Sequence, residues 1–142
     1  MTDVTQVTHV TVTRGLAMGK RRYAWHMTDQ AEWLSVPEFA DQLGLTASDV
    51  RDLLREGALA AVRRGDANTV QLPAGFIIPG DVAPHVIPTL RGTLTLLRDA
   101  GFDDEGAIGW LLAEEPTLGM SPLAALQLGQ RAQVRRLAQA LL

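Results

Sequence analysis

Ser48, Arg51 and Arg55 follow one another at spacings of three and four residues. On a helix that spacing puts a hydroxyl and two guanidinium groups on one face. Shortly downstream come the adjacent Arg63 and Arg64, with Asn68 four residues beyond. These are donor groups suited to holding anions and base edges. Arg51 can offer a bidentate pair to guanine, and Ser48 can bond a base or a phosphate. Arg63 and Arg64 are placed to meet a sugar-phosphate backbone, with Asn68 at the tip of the same segment. Neighbouring residues on a strand project to opposite faces, so one of the two arginines should point away from a duplex. The competing local explanation is that Arg51 and Arg55 pair with Asp52 and Glu56, at ~0.2–0.5 kcal/mol per pair.

The elements that must carry these groups are legible in the chain. Ser35-Val36-Pro37-Glu38 starts a helix: Ser35 caps it, Pro37 sits in the first turn, and Glu38 completes a capping box. Val36, Phe39, Ala40 and Leu43 fall on one face, and Gly44 suits the left-handed residue that ends a helix. Thr46 opens a second helix with Asp49 as its reciprocal cap. Val50, Leu53 and Leu54 form its apolar stripe, and Gly57 stops it. Only Gly44-Leu45-Thr46 joins the two, the length and composition of a helix-turn-helix. Residues 58–64, 65–68 and 69–72 then read as strand, turn and strand. The spacing therefore predicts a winged helix-turn-helix, with helix 46–56 in a major groove and the 60–72 wing against the backbone.

Around this unit the chain divides into an arm over 1–30, the winged helix-turn-helix over 31–78, and a helical module over 79–142. The arm opens with alternating Val and Thr and holds Arg14 and the cluster Lys20-Arg21-Arg22. Pro73, Pro79, Pro84 and Pro88 mark a connecting region, with a short extended piece at 76–78. Leu90, Leu94 and Leu97 line a helix that Gly101 ends. Asp103 or Asp104 caps the next, carrying Ile108, Trp110, Leu111 and Leu112 until Pro116 stops it. Ser121-Pro122 leads into 123–128, and a last helix runs over 130–142 with Val134, Leu137, Ala138 and Leu141 on one side. The expected fold class is mostly α with a small β-hairpin, excisionase- or MerR-like in its first half, followed by a compact helical module.

The net charge is −3 over 142 residues, and its distribution matters more than its sum. Residues 1–30 are net +2, 31–72 net −3 and 73–142 net −2, so the DNA-reading segment is acidic and its phosphate term should be small and steeply salt-dependent. The three histidines, His9, His26 and His85, lie far apart with no partner at metal-ligand spacing. Asp103-Asp104-Glu105 and Glu114-Glu115 sit at helix ends, where caps, dipoles and solvation account for them. Gly15, Gly19 and Lys20 lack phosphate-loop spacing. No catalytic residue, metal or cofactor is assigned, and the expectation is a non-enzyme. With no cysteine, no apolar run of about 18 residues and no signal-peptide pattern, the reading is a cytoplasmic protein without a membrane partner.

The segments VPEFADQLGL, VRDLLREGALAAVRR, LRGTLTLLRDAGFDDEGAIGWLL and RAQVRRLAQA resemble, in this order, an actinobacterial family of winged helix-turn-helix DNA-binding proteins. In mycobacteria that family includes substrates of a membrane Ser/Thr protein kinase. The resemblance covers some three quarters of the chain and implies a transcriptional regulator whose partner is double-stranded DNA. It maps Ser48, Arg51, Arg55, Arg63 and Arg64 to DNA-contacting positions, and implies a kinase target among the arm threonines Thr5, Thr8, Thr11 and Thr13. A phosphate there would add about −1.5 to −2 charge and oppose DNA. The stretch GWLLAEEPTLGMSPLAALQLGQRAQVRRLAQAL is similar to the toxin-binding domain of Xre/ParS-type antitoxins. That similarity implies the rival reading: an antitoxin-like or adaptor protein that binds a protein partner, or a second copy of itself, through residues 89–142.

Overall fold

The computed structural model describes residues 31–142; the 1–30 arm, with Arg14, the Lys20–Arg22 cluster and the candidate threonines, lies outside the described residues. The helix-turn-helix forms where its caps demand. Helix α1, Val36–Leu43, begins with a complete capping box: the Ser35 Oγ accepts from the Glu38 N–H, and the Ser35 N–H donates to Glu38 Oε1 at 2.8 Å. Gly44, at φ 70°, ends it in the left-handed region, where a residue without a Cβ is unstrained. Helix α2, Ala47–Arg55, starts the same way, with Thr46 and Asp49 exchanging two 3.1 Å bonds. Phe39 and Val50 are fully buried where the two helices meet the core.

Strands β2, Val62–Arg64, and β3, Thr69–Pro73, make the antiparallel wing hairpin. A strand not anticipated from the sequence, β1 at Trp33–Ser35, pairs with the other edge of β3, giving the order β1-β3-β2. Three residues are too few to display an alternating pattern, and β1 finds its partner some 37 residues downstream (Ser35 opposite Gln71, Leu34 opposite Leu72). The wing's first strand is also shorter than the expected 58–64. Leu59 and Ala60 are fully buried, and the backbone groups here bond outside the sheet: the Leu59 carbonyl accepts from Arg98 and the Ala61 N–H donates to Asp104.

A 3₁₀ turn, Ala74–Phe76, leads to β4, Ile77–Ile78, which pairs with β5, His85–Val86. Helix α3, Leu90–Asp99, is followed by α4, Asp104–Leu112, capped by the Asp103 side chain on the Gly106 N–H at 2.8 Å. Helix α4 ends at Leu112, before Pro116, because Ala113 is already extended. Helix α5, Pro122–Gln127, takes Ser121 as cap, and α6 runs over Arg131–Gln139. One connected apolar cluster takes Phe39, Val50, Leu59 and Leu72 from the first half. From the second it takes Leu90, Leu94, Leu97, Ile108, Leu111 and Val134. Thus α3 and α4 close the underside of the helix-turn-helix and leave the outer face of α2 open.

Candidate nucleic-acid interface

Helix α2 buries Val50 and half-buries Leu53 and Leu54, while Ser48, Arg51 and Arg55 stand exposed on its outer side. The acidic stripe beside them is engaged at every position. Asp49 accepts from the Thr46 N–H as the helix cap. Asp52 is ion-paired with Arg55 one turn away. Glu56 faces Arg91 of α3 at 4.0 Å, and Arg91 also donates to the Glu56 carbonyl at 3.4 Å. The local pairing considered from sequence therefore occurs at Arg55 but not at Arg51, which forms no ion pair among the described residues. Ser48 lies in the first turn, beside backbone N–H groups that have no partner within the helix.

In the wing, Arg63 and Arg64 project to opposite faces. Arg63 is exposed, and its Nη1 donates to the Asn68 carbonyl at 3.1 Å, which holds the guanidinium at the hairpin tip. Asn68 itself closes the turn: its N–H donates to the Gly65 carbonyl at 3.0 Å, and its φ of 55° is the one positive value at a non-glycine position among the described residues. Arg64 turns instead to the outer face of the sheet, where its guanidinium lies 4.3 Å from the centroid of the Trp33 ring, a cation–π geometry. Ser48, Arg51 and Arg55 thus share one face of α2, Arg63 and Asn68 share the wing tip, and Arg64 is drawn away toward β1.

Sequence reasoning missed the residues that set the pose of α2. The Arg98 guanidinium donates to the Gly57 carbonyl at 2.8 Å, to the Leu59 carbonyl at 3.1 Å and to Asp104 Oδ1 at 3.3 Å. Asp104 Oδ2 in turn accepts from the Ala61 N–H at 3.3 Å. The chain leaving α2 is therefore held by α3 and α4. Gly57 is itself constrained: its φ is 83°, and a Cβ there would stand 3.1 Å from Arg98 Nη1. These partners are separated by 39 to 43 residues, so no short-range spacing announces them. Among the described residues no group of three or more potential metal ligands comes together, and no helix is long and apolar enough to cross a membrane.

Comparison with known proteins places this geometry among relatives. Residues 26–77 match the family model described as "DNA-binding protein Rv2175c, wHTH domain", and residues 87–142 match "Rv2175c C-terminal domain of unknown function". The chain is 35% identical over 118 residues to the "DNA-binding protein Rv2175c" of Mycobacterium tuberculosis (strain ATCC 25618 / H37Rv), spanning 75% of this chain and 77% of that protein. The fold resembles the NMR structure of Rv2175c with a TM-score of 0.68 at 33% identity, covering 78% of this chain and 81% of that one.

Proposed function

The chain belongs to the family of the mycobacterial DNA-binding protein Rv2175c, and on that premise we propose that it binds double-stranded DNA as a cytoplasmic transcriptional regulator. One observation carries the assignment of surface: α2 presents Ser48 and an Arg51 without an ion-pair partner among the described residues, while Asp49, Asp52 and Glu56 are each occupied. A helix whose carboxylates are already satisfied meets a phosphate lattice with less repulsion than its formal charge implies. In this reading Arg51 and Ser48 address base edges in the major groove. Arg55 keeps Asp52 neutralised and turns its remaining guanidinium N–H groups to a phosphate. Arg63, steadied at the wing tip beside Asn68, takes the backbone, and Arg64 contributes least.

Residues 31–78 then form the reading unit and residues 79–142 its support. A Ser/Thr protein kinase acting on Thr5, Thr8, Thr11 or Thr13 would place about −1.5 to −2 charge on a 1–30 segment of net +2 and weaken the complex. No catalytic step is assigned to the chain.

The test is fluorescence anisotropy of labelled genomic fragments across a salt series, comparing the full chain with Arg51→Ala/Arg55→Ala. Sequence-selective binding that weakens with salt and collapses in the variant is the expected outcome. Flat anisotropy at low salt would overturn the reading and turn attention to a protein partner of residues 89–142.

A further inference from the structure

Helix α6 carries a face that its packing does not use. Val134 and Ala138 are fully buried and Leu137 is half-buried. With 3.6 residues per turn, the remaining circumference carries Arg131, Gln133, Arg135, Arg136 and Gln139, all exposed. No carboxylate side chain occurs from residue 131 to 142. None of the three arginines forms an ion pair or side-chain hydrogen bond with a described residue. Outside α6, Arg55 is engaged with Asp52, Arg91 with Glu56, Arg98 with Asp104, Arg64 on Trp33 and Arg63 with the Asn68 carbonyl. Among the other described arginines only Arg51, on the outer face of α2, likewise has neither an ion pair nor a side-chain hydrogen bond with a described residue. Residues 31–142 are net −5, so this is a cluster of unopposed positive charge on an otherwise acidic body. Helix electrostatics does not account for it. Arg136 in the last turn is favoured by the macrodipole, but Arg131 in the first turn works against it.

We propose that α6 is a second phosphate-binding surface, which holds the backbone of the same duplex that α2 reads. The proposal rests on the DNA-binding reading and deepens it. Charge complementarity selects the occupant: three unopposed guanidinium groups, with the amide N–H groups of two glutamines among them, favour an anion-rich partner. Arg131 and Arg135 rise about 6 Å relative to each other along the helix. That matches phosphates one or two nucleotides apart on a strand that rises ~3.4 Å per nucleotide. Helix α6 packs against α3, and α3 also carries Arg91 to the end of α2, so one packed helix links the two surfaces. Contacts of this kind add affinity without base preference.

The experiment is a salt titration of DNA binding by the full chain, comparing wild type with Arg131→Gln/Arg135→Gln/Arg136→Gln. Three lost phosphate contacts should flatten the log–log salt slope by about 2.7, so that from 50 to 200 mM salt the wild type loses roughly 40-fold more affinity than the variant. The loss should be equal on selected and scrambled duplexes. The triple lysine variant should keep the wild-type slope, which separates charge from folding. A glutamine variant that keeps the wild-type slope overturns the proposal. So does one that keeps its DNA binding but loses retention on a polyglutamate matrix, which would reassign the face to an acidic protein. Failure of the parent reading looks different: the wild type itself then shows no DNA binding at any salt.

Discussion

Four arginines of the second helix and the wing have different surroundings, and their surroundings rank them. Arg51 has no ion-pair partner among the described residues, Arg55 is paired with Asp52, Arg63 is steadied by the Asn68 carbonyl and Arg64 lies over Trp33. Arg51→Ala should therefore cost most on a selected duplex, about 1–3 kcal/mol, and relax preference at one position. Arg63→Ala should weaken selected and scrambled DNA alike. Arg64→Ala should leave DNA binding nearly intact but lower folding stability by about 0.5–1 kcal/mol, through loss of the cation–π contact. Paired anisotropy and urea denaturation check the order; equal DNA losses at Arg63 and Arg64 would contradict their opposite orientations. The pattern of types was visible in the sequence, down to the divergence of two adjacent strand residues. That Trp33 would receive one of them was not, because Trp33 lies on β1, a strand too short to recognise.

At the scale of the element, the helix starts are local devices and behave as the residue order implies. In α1 the Glu38 carboxylate accepts from the Ser35 N–H, and this bond, with the Ser35 side chain, lowers its pKa below the usual glutamate value. A carboxylate depressed in the folded state stabilises it above the ordinary range of about 4.3, and that stabilisation is lost as pH falls through the lowered value. The melting temperature of Glu38→Gln should accordingly lie below wild type at pH 7, and the gap should close as acidification carries the pH down through the lowered Glu38 value. A gap that is constant with pH would assign the effect to shape rather than charge. Ser35→Ala, which removes the acceptor for the Glu38 N–H, should cost about 1 kcal/mol. The caps, Gly44 and Gly57 were legible because their interactions close within a few residues. Strand β1 and the late start of β2 were not, since the groups that pair with them or claim their backbone lie far along the chain.

Across the whole molecule, the apolar cluster is continuous from Phe39 to Val134, and the Arg98–Asp104 pair ties the exit of α2 to α3 and α4. Unfolding should be one cooperative transition. Arg98→Met should lower stability by about 1–2 kcal/mol, discounted because the pair is partly exposed, and should shift the melting temperature without splitting it. Two separate calorimetric transitions would contradict the shared core. By itself, the sequence determined the helix caps, the tight turn, the hairpin and the donor-bearing face of α2, because each depends on interactions within a few residues. Only the tertiary structure decided which charges remain to meet a partner. Arg91 reaches Glu56 across 35 residues and Arg98 reaches Gly57 across 41, while Arg51 and the α6 arginines keep theirs unopposed by any described residue. Charge neutralisation follows distance in space, and spacing along the chain does not specify it.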